Sequence, residues 1–244
     1  MALSASPYGK GPVKTIDEVL DRQHEIEDFI KNQNKPDGIG TFNSLYITIT
    51  EQVRDGCEAS TYKDNDFMRA LDVAFANRYF AALRRNEHDP GSAPAPWKVF
   101  LEHRATEGIQ ALQFAAAGVN AHINFDLAPA VFATWREVGP GTGPEEHLTY
   151  QAIDAVFAAE MESLRQKFEE KWEREVDGGP IAKFLDLLGD VMVDGARDLA
   201  WHHAMTLWKW RRVPLHYHLT MDWLSVTAFA AGELLLLPLP SLPN

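Results

Sequence analysis

This sequence predicts an all-α fold: a single-domain, multi-helix bundle built around a buried central helix at about residues 107–128. Three observations lead there. Apolar residues recur at i, i+3, i+4 and i+7 along much of the chain, clusters of Gly and Pro punctuate those runs, and no set of alternating segments offers partner strands. With 244 residues, 45% of them hydrophobic and 11% aromatic, the chain can bury one large core and lies outside the disordered regime. The expected organisation is a flexible arm over 1–14, a helical domain over 15–237 and a Pro-rich tail over 238–244.

The first fourteen residues, MALSASPYGKGPVK, lack the apolar core of a signal peptide, and a cytoplasmic protein is expected. A first helix starts at Thr15, because Thr15 and Glu18 have capping-box spacing and Ile16, Val19, Leu20 and Ile26 recur at helical intervals to about Lys31. Pro36, Gly38 and Gly40 then mark a turn. In FNSLYITITEQV the run Ile47, Thr48, Ile49, Thr50 favours a strand, whereas Phe42, Leu45, Ile49 and Val53 keep helical spacing. Helix is chosen, since no partner strand is evident.

Asp66 reads as the cap of the next helix, whose stripe is Phe67, Leu71, Phe75 and Ala82. Residues 86–96 form a Pro-rich surface connection, and helical pattern resumes at Trp97. GPGTGP at 139–144 is the strongest internal break; without a lysine or a preceding strand it is no phosphate loop. Met161, Leu164, Phe168, Trp172 and Val176 make an apolar seam on an otherwise charged helix. Helices follow from Ile181 to about Arg212 and from about Leu219.

The formal charge of -12 repels phosphate backbones, so no nucleic-acid partner is expected. The one basic cluster, Lys209, Arg211 and Arg212, suits the carboxyl end of a helix. Cys57 is the single cysteine, which rules out an intrachain disulfide and fits a reducing compartment. Its polar surroundings do not mark a nucleophile. No GxSxG, HExxH, Walker or dinucleotide pattern occurs, and no nucleotide cofactor is expected. The apolar stretch 219–237 contains Asp222, Gly232 and Glu233 and reads as a buried terminal helix, not a membrane span. Pro238 ends it. The apolar tail is expected to dock on the body or on a second subunit, giving a homo-oligomer.

Chemistry concentrates in LQFAAAGVNAHINFDLAPAV. Leu112, Ala116, Val119, Ile123 and Leu127 form one face of this helix, and Phe114, Ala121 and Phe125 make the others apolar too. Set into it are Asn120, His122, Asn124 and Asp126, which need partners if buried. His122 and Asp126 are four apart on the face of Gly118, beside the gap that glycine leaves. Such a pair suits metal ligation, or acid–base work with Asp126 orienting His122. The rival is a structural hydrogen-bond network that closes the helix before Pro129.

Asp72 shares a face with Met68, Phe75 and Tyr79, and Arg78 is its expected mate. His203 lies in line with Ala196, Leu199, Ala200 and Leu207, while His202 falls on the wet face. His216 and His218 share a side only if their segment is extended, as Pro214 allows.

DGIGTFNSLYITIT, ALDVAFANRYFAAL, AAGVNAHINFDLAPA and ARDLAWHHAMTLW resemble an uncharacterised family, domain of unknown function 5995, over most of residues 37–208. The clearest element is the NAHIN-x-DL core at 120–127. The resemblance implies a helical fold and brings no activity with it. A looser similarity links His122 and Asp126 to the helical zinc-dependent phospholipase C and P1 nuclease group. The multi-histidine signature and N-terminal tryptophan ligand of that group are missing here.

The leading expectation is a small-molecule enzyme of lyase, cyclase, isomerase or hydrolase type, with an apolar pocket between helices for a hydrophobic substrate. His122, Asp126, Asn120 and Asp72 are its catalytic candidates, and Tyr46, Arg78, Tyr79, Asn124 and Trp201 its substrate contacts. One alternative is a zinc-type hydrolase holding a divalent ion on His122, Asp126 and either His203 or Asp72. Another is a non-catalytic ligand-binding or assembly protein that uses the C-terminal tail.

Overall fold

The computed structural model describes residues 6–33, 35–140, 144–153, 158–163, 165–166 and 195–239. The expected seam beyond Met161 and the helix start at Ile181 lie outside the described residues. Among the described residues there are nine α-helices and no strand.

Helix α1 (Ile16–Gln33) opens as the spacing of Thr15 and Glu18 predicts. Thr15 Oγ1 accepts from the Glu18 amide at 3.2 Å, and the Glu18 carboxylate returns to the Lys14 amide at 2.6 Å. The ambiguous segment is helical and forms α2 (Gly38–Glu58). Its 3.6-residue period buries Phe42, Leu45, Tyr46 and Val53 together, which outweighs the strand preference of the β-branched run. In α3 (Asn65–His88) the cap is Asp64, not Asp66: the Asp64 carboxylate accepts from the Phe67 amide at 2.9 Å. Asp66 falls in the first turn, where the helix dipole favours its charge.

Helix α4 (Ala95–His103) carries Trp97, and α5 (Ala111–Val119) begins the central rod. The rod does not stop before Pro129. It continues through a π-helical stretch, Asn120–Asp126, into α6 (Leu127–Val138). Pro129 has no N–H to give, so the regular ladder is interrupted close to where the π register returns to α. Gly139, at φ +91°, then ends the helix. After α7 (Pro144–Gln151), α8 (Gly195–Lys209) and α9 (Pro214–Leu235) pack on the rod. Arg211 donates to the Trp208 carbonyl at 2.8 Å, so the basic cluster does serve the end of α8.

Three expectations are corrected here. The stretch expected to be a flexible arm is bound from Ser6: Tyr8 and Val13 are buried, and Asn77 bonds both the N–H and the C=O of Val13 at 2.9 and 2.8 Å. Pro214 opens α9 instead of extending the chain, so His216 and His218 do not share a side. The terminal helix is not buried overall. One stripe of Leu224, Ala228, Gly232 and Leu235 packs inward, while Leu215, Leu219, Trp223, Val226 and Leu234 stay exposed. Past it, Gln113 holds the carbonyls of Leu235 and Leu237 at 2.9 and 2.8 Å. No helix among the described residues is long and apolar enough to cross a membrane.

Gly118 leaves no gap beside it, because the Phe42 ring of α2 fills the space; a Cβ there would stand 2.5 Å from that ring. Gly118→Ala should therefore lower stability by about 1–3 kcal/mol despite alanine's better helix propensity. Gly11→Ala, which meets nothing within 4 Å, should stay within about 0.5 kcal/mol of the native protein in the same denaturant titration. Equal midpoints for the two would refute this packing.

Candidate functional site

Three helices converge on the π-helical stretch. Helix α2 brings Phe42 and Tyr46, α3 brings Asp72, Phe75, Arg78 and Tyr79, and α4 brings Trp97. His122, only 3% exposed, lies flat on Phe75 with ring centroids 3.5 Å apart and planes 5° apart. Tyr46, Phe42 and Trp97 meet the imidazole at steeper angles, with centroids 4.8, 5.7 and 5.9 Å away. The ring is thus held in one plane on all sides.

The Asp126 carboxylate, 2% exposed, is the hub. Its Oδ1 accepts from Arg78 Nε at 2.9 Å, and its Oδ2 accepts from the Trp97 indole at 2.7 Å. His122 Nδ1 stands 3.5 Å from the same Oδ2. The carboxylate favours the tautomer with the proton on Nδ1, which leaves Nε2 with a free lone pair. That Nε2 is buried and has no hydrogen-bond partner among the described residues. Burial lowers the pKa of His122 even though Asp126 opposes it, so the imidazole is neutral at neutral pH.

Arg78 pairs with Asp126, not with Asp72 as expected. Six residues apart on a regular helix, Asp72 and Arg78 point about 120° apart and cannot meet. Asp72 is buried, one of its oxygens has no partner among the described residues, and burial pushes its pKa up to about 7. Its charge and that of Asp126 both reach Tyr46, whose phenol is raised well above its usual value, first by burial. The Tyr46 hydroxyl likewise has no partner among the described residues.

Against His122 and Tyr46 is a narrow cavity of about 30 Å³, lined also by Phe42, Phe75, Val119 and Arg197 among others. That is room for about one water, far from the roughly 300–1,000 Å³ of a drug-sized pocket. Any larger occupant displaces side chains.

Tyr79 is part of the same aromatic enclosure, its ring 6.2 Å from His122 and packed on Trp97 and Phe42, with its hydroxyl 3.5 Å from Asn43. The other predicted residues lie elsewhere. Asn120 donates to the Ala228 carbonyl of α9 at 2.6 Å, and Asn124 donates to Asn120 at 2.9 Å. The two asparagines therefore tie α9 to the rod on a different side from Asp126. Trp201 packs with Phe67, Trp135 and Tyr150, apart from the rings around His122. His203 lines a different cavity with Asn124 and Trp223. The expected metal set of His122, Asp126 and His203 is thus not assembled, and no three His, Cys, Asp or Glu gather among the described residues.

Sequence reading missed Trp97 as a ligand of Asp126 and missed Glu146. Glu146 is buried, accepts from the Trp135 indole, and is pushed up to about 7 by burial. Trp97 carried no signal beyond its place after a Pro-rich connection. Cys57 is buried too, its thiol pushed up to about 11, which agrees with its dismissal as a nucleophile.

The raised carboxyls set a pH dependence. An unfolded carboxyl titrates near about 4, so between about pH 4 and 7 the folded chain retains protons that the unfolded chain has lost. Asp72 and Glu146 therefore make stability fall as pH rises through that window. Asp72→Asn should flatten part of this slope and raise the melting temperature at pH 8 by about 5 °C. An unchanged melting profile from pH 4 to 8 would show that Asp72 is not buried as a neutral acid.

No curated protein and no solved structure matches the chain. A family model does match, over residues 16–238, and it is described as a family of unknown function, DUF5995. That span covers every element of the site from α1 to the end of α9, and the chain belongs to the DUF5995 family.

Proposed function

We propose that the protein is a small-molecule enzyme in which His122 is the general acid or base and Asp126 fixes its tautomer. The observation that carries this reading is the buried Nε2 of His122, which has no hydrogen-bond partner among the described residues, on a ring that lines a largely apolar cavity while Nδ1 faces an anchored carboxylate. A base, an orienting acid and a fixed second layer of Arg78 and Trp97 are the parts that proton transfer needs. Nε2 would take a proton from the substrate, Asp126 would stabilise the imidazolium, and the proton would return to another atom or to the leaving group. The Tyr46 hydroxyl, without a partner among the described residues, is a further donor on a side chain that lines the same cavity, whereas Asp72 is not among the described residues that line it. The walls are largely apolar apart from Arg197, whose guanidinium is engaged with Tyr150, and they favour an apolar substrate, which fits isomerisation or elimination. A π-helical interruption is a frequent mark of functional sites and supports the same reading.

Proton abstraction has a general readout. Incubated in D₂O with a panel of small cyclic ketones and enones, the native protein should incorporate deuterium into at least one of them, followed by mass spectrometry. His122→Gln should slow that exchange by about 100-fold or more at an unchanged melting temperature. Variants of His122 and Asp126 that fold normally and exchange at the native rate would defeat the reading.

A second reading, assembly of two copies through α9, is favoured by the exposed Leu215, Leu219, Trp223, Val226 and Leu234 along that helix. Monomers rarely leave an apolar patch larger than a few hundred Å². The native protein should sediment as a dimer at micromolar concentration, and the double variant Leu219→Glu, Val226→Glu as a monomer. A native monomer would refute it.

A further inference from the structure

We infer a second ligand site, on the side of the π-helical segment that faces α8 and α9, which takes a small uncharged aromatic molecule bearing one hydrogen-bonding group. It does not depend on the role of His122. A cavity of about 210 Å³ opens there, lined by Asn120, Asn124, His203, Trp223, Thr227 and Ala231 together with small and aliphatic side chains. A dry cavity of about 150 Å³ accommodates benzene, so this volume suits one ring with a short substituent.

The lining sets the chemistry of the guest. Among the described residues that line the cavity there is no Asp, Glu, Lys or Arg, so an ionic guest would lose its hydration without a counter-charge from them. Trp223 is 49% exposed, with its ring centroid 5.0 Å from that of His203, and offers an aromatic surface next to the imidazole. His203 Nε2 is buried with no partner among the described residues. Burial and the neighbouring His202 lower its pKa, so the ring is neutral and can accept a hydroxyl proton.

Thr227 is already spent on the carbonyls of Trp223 and Leu224, at 2.9 and 3.1 Å. Asn124 gives one N–H to Asn120 and keeps a carbonyl that no other bond among the described residues uses. The imidazole and this amide therefore present one acceptor pair to a guest whose ring rests on Trp223. Because Asn120 in turn holds Ala228, a guest bound to Asn124 joins the chain of bonds that fastens α9.

Phenol and toluene test this directly, since they share a ring and differ by the hydroxyl. Titrated into ¹⁵N-histidine-labelled native protein, phenol should shift the His203 resonances saturably and leave those of His122 in place. Toluene should bind about tenfold more weakly or worse. His203→Leu should weaken phenol to the toluene level, and Ala231→Leu, which fills the cavity, should abolish binding of both. The inference is overturned if phenol leaves His203 unmoved, shifts His122 first, binds no better than toluene, or binds equally to either variant that retains the native melting curve. The phenol and toluene comparison on native protein decides the matter even if both variants misfold.

Discussion

Asp126 sits where α3, α4 and the π-helical segment meet, and its carboxylate holds all three through Arg78, Trp97 and His122. A buried carboxylate is unfavourable unless its lone pairs are used, and a cation and an indole N–H use them here at 2.9 and 2.7 Å. This arrangement constrains the rest. It fixes how far α3 stands from α4, it sets Trp97 against Tyr79 and Phe42, and it aligns the His122 ring with Phe75. The aromatic box is therefore as much a consequence of one carboxylate as of apolar packing.

The polar residues of the π-helical NAHINFD are divided between two sides of one rod. His122 and Asp126 face α3 and α4; Asn120 and Asn124 face α9. Gly118, one turn earlier, lets the Phe42 ring close against the rod, so that α2 comes near enough for Tyr46 and Phe42 to reach the imidazole. A wider register, a missing Cβ and a proline without an N–H thus lie within twelve residues of sequence.

The periodicity of apolar residues made the helical class legible, as did local capping at Thr15 and Glu18. The fit of His122 to Asp126 followed from spacing alone, because an i, i+4 relation is local. What spacing could not supply was partner choice across elements. Arg78 looked like the mate of Asp72 because both lie on one helix, yet the angular separation sends Arg78 to Asp126 forty-eight positions away. Trp97 is a similar case. For α9 the composition suggested burial, but burial needs a neighbour on every side, and the packing supplies one along a single stripe only.

Structural networks and functional sites differ in how completely their members are satisfied. The asparagine pair meets the structural standard: Asn120 and Asn124 bond each other and the Ala228 carbonyl. Asp126 meets it as well. His122 Nε2, the Tyr46 hydroxyl and one Asp72 oxygen find no partner among the described residues, although each is buried. If the fold were their only purpose, phenylalanine at 46 and asparagine at 72 would fill the same space with less burial penalty. His122 and Tyr46 line one small cavity without partners among the described residues, and they are better explained as groups awaiting a hydrogen-bonding guest than as mortar, which favours chemistry at His122 over a purely structural network.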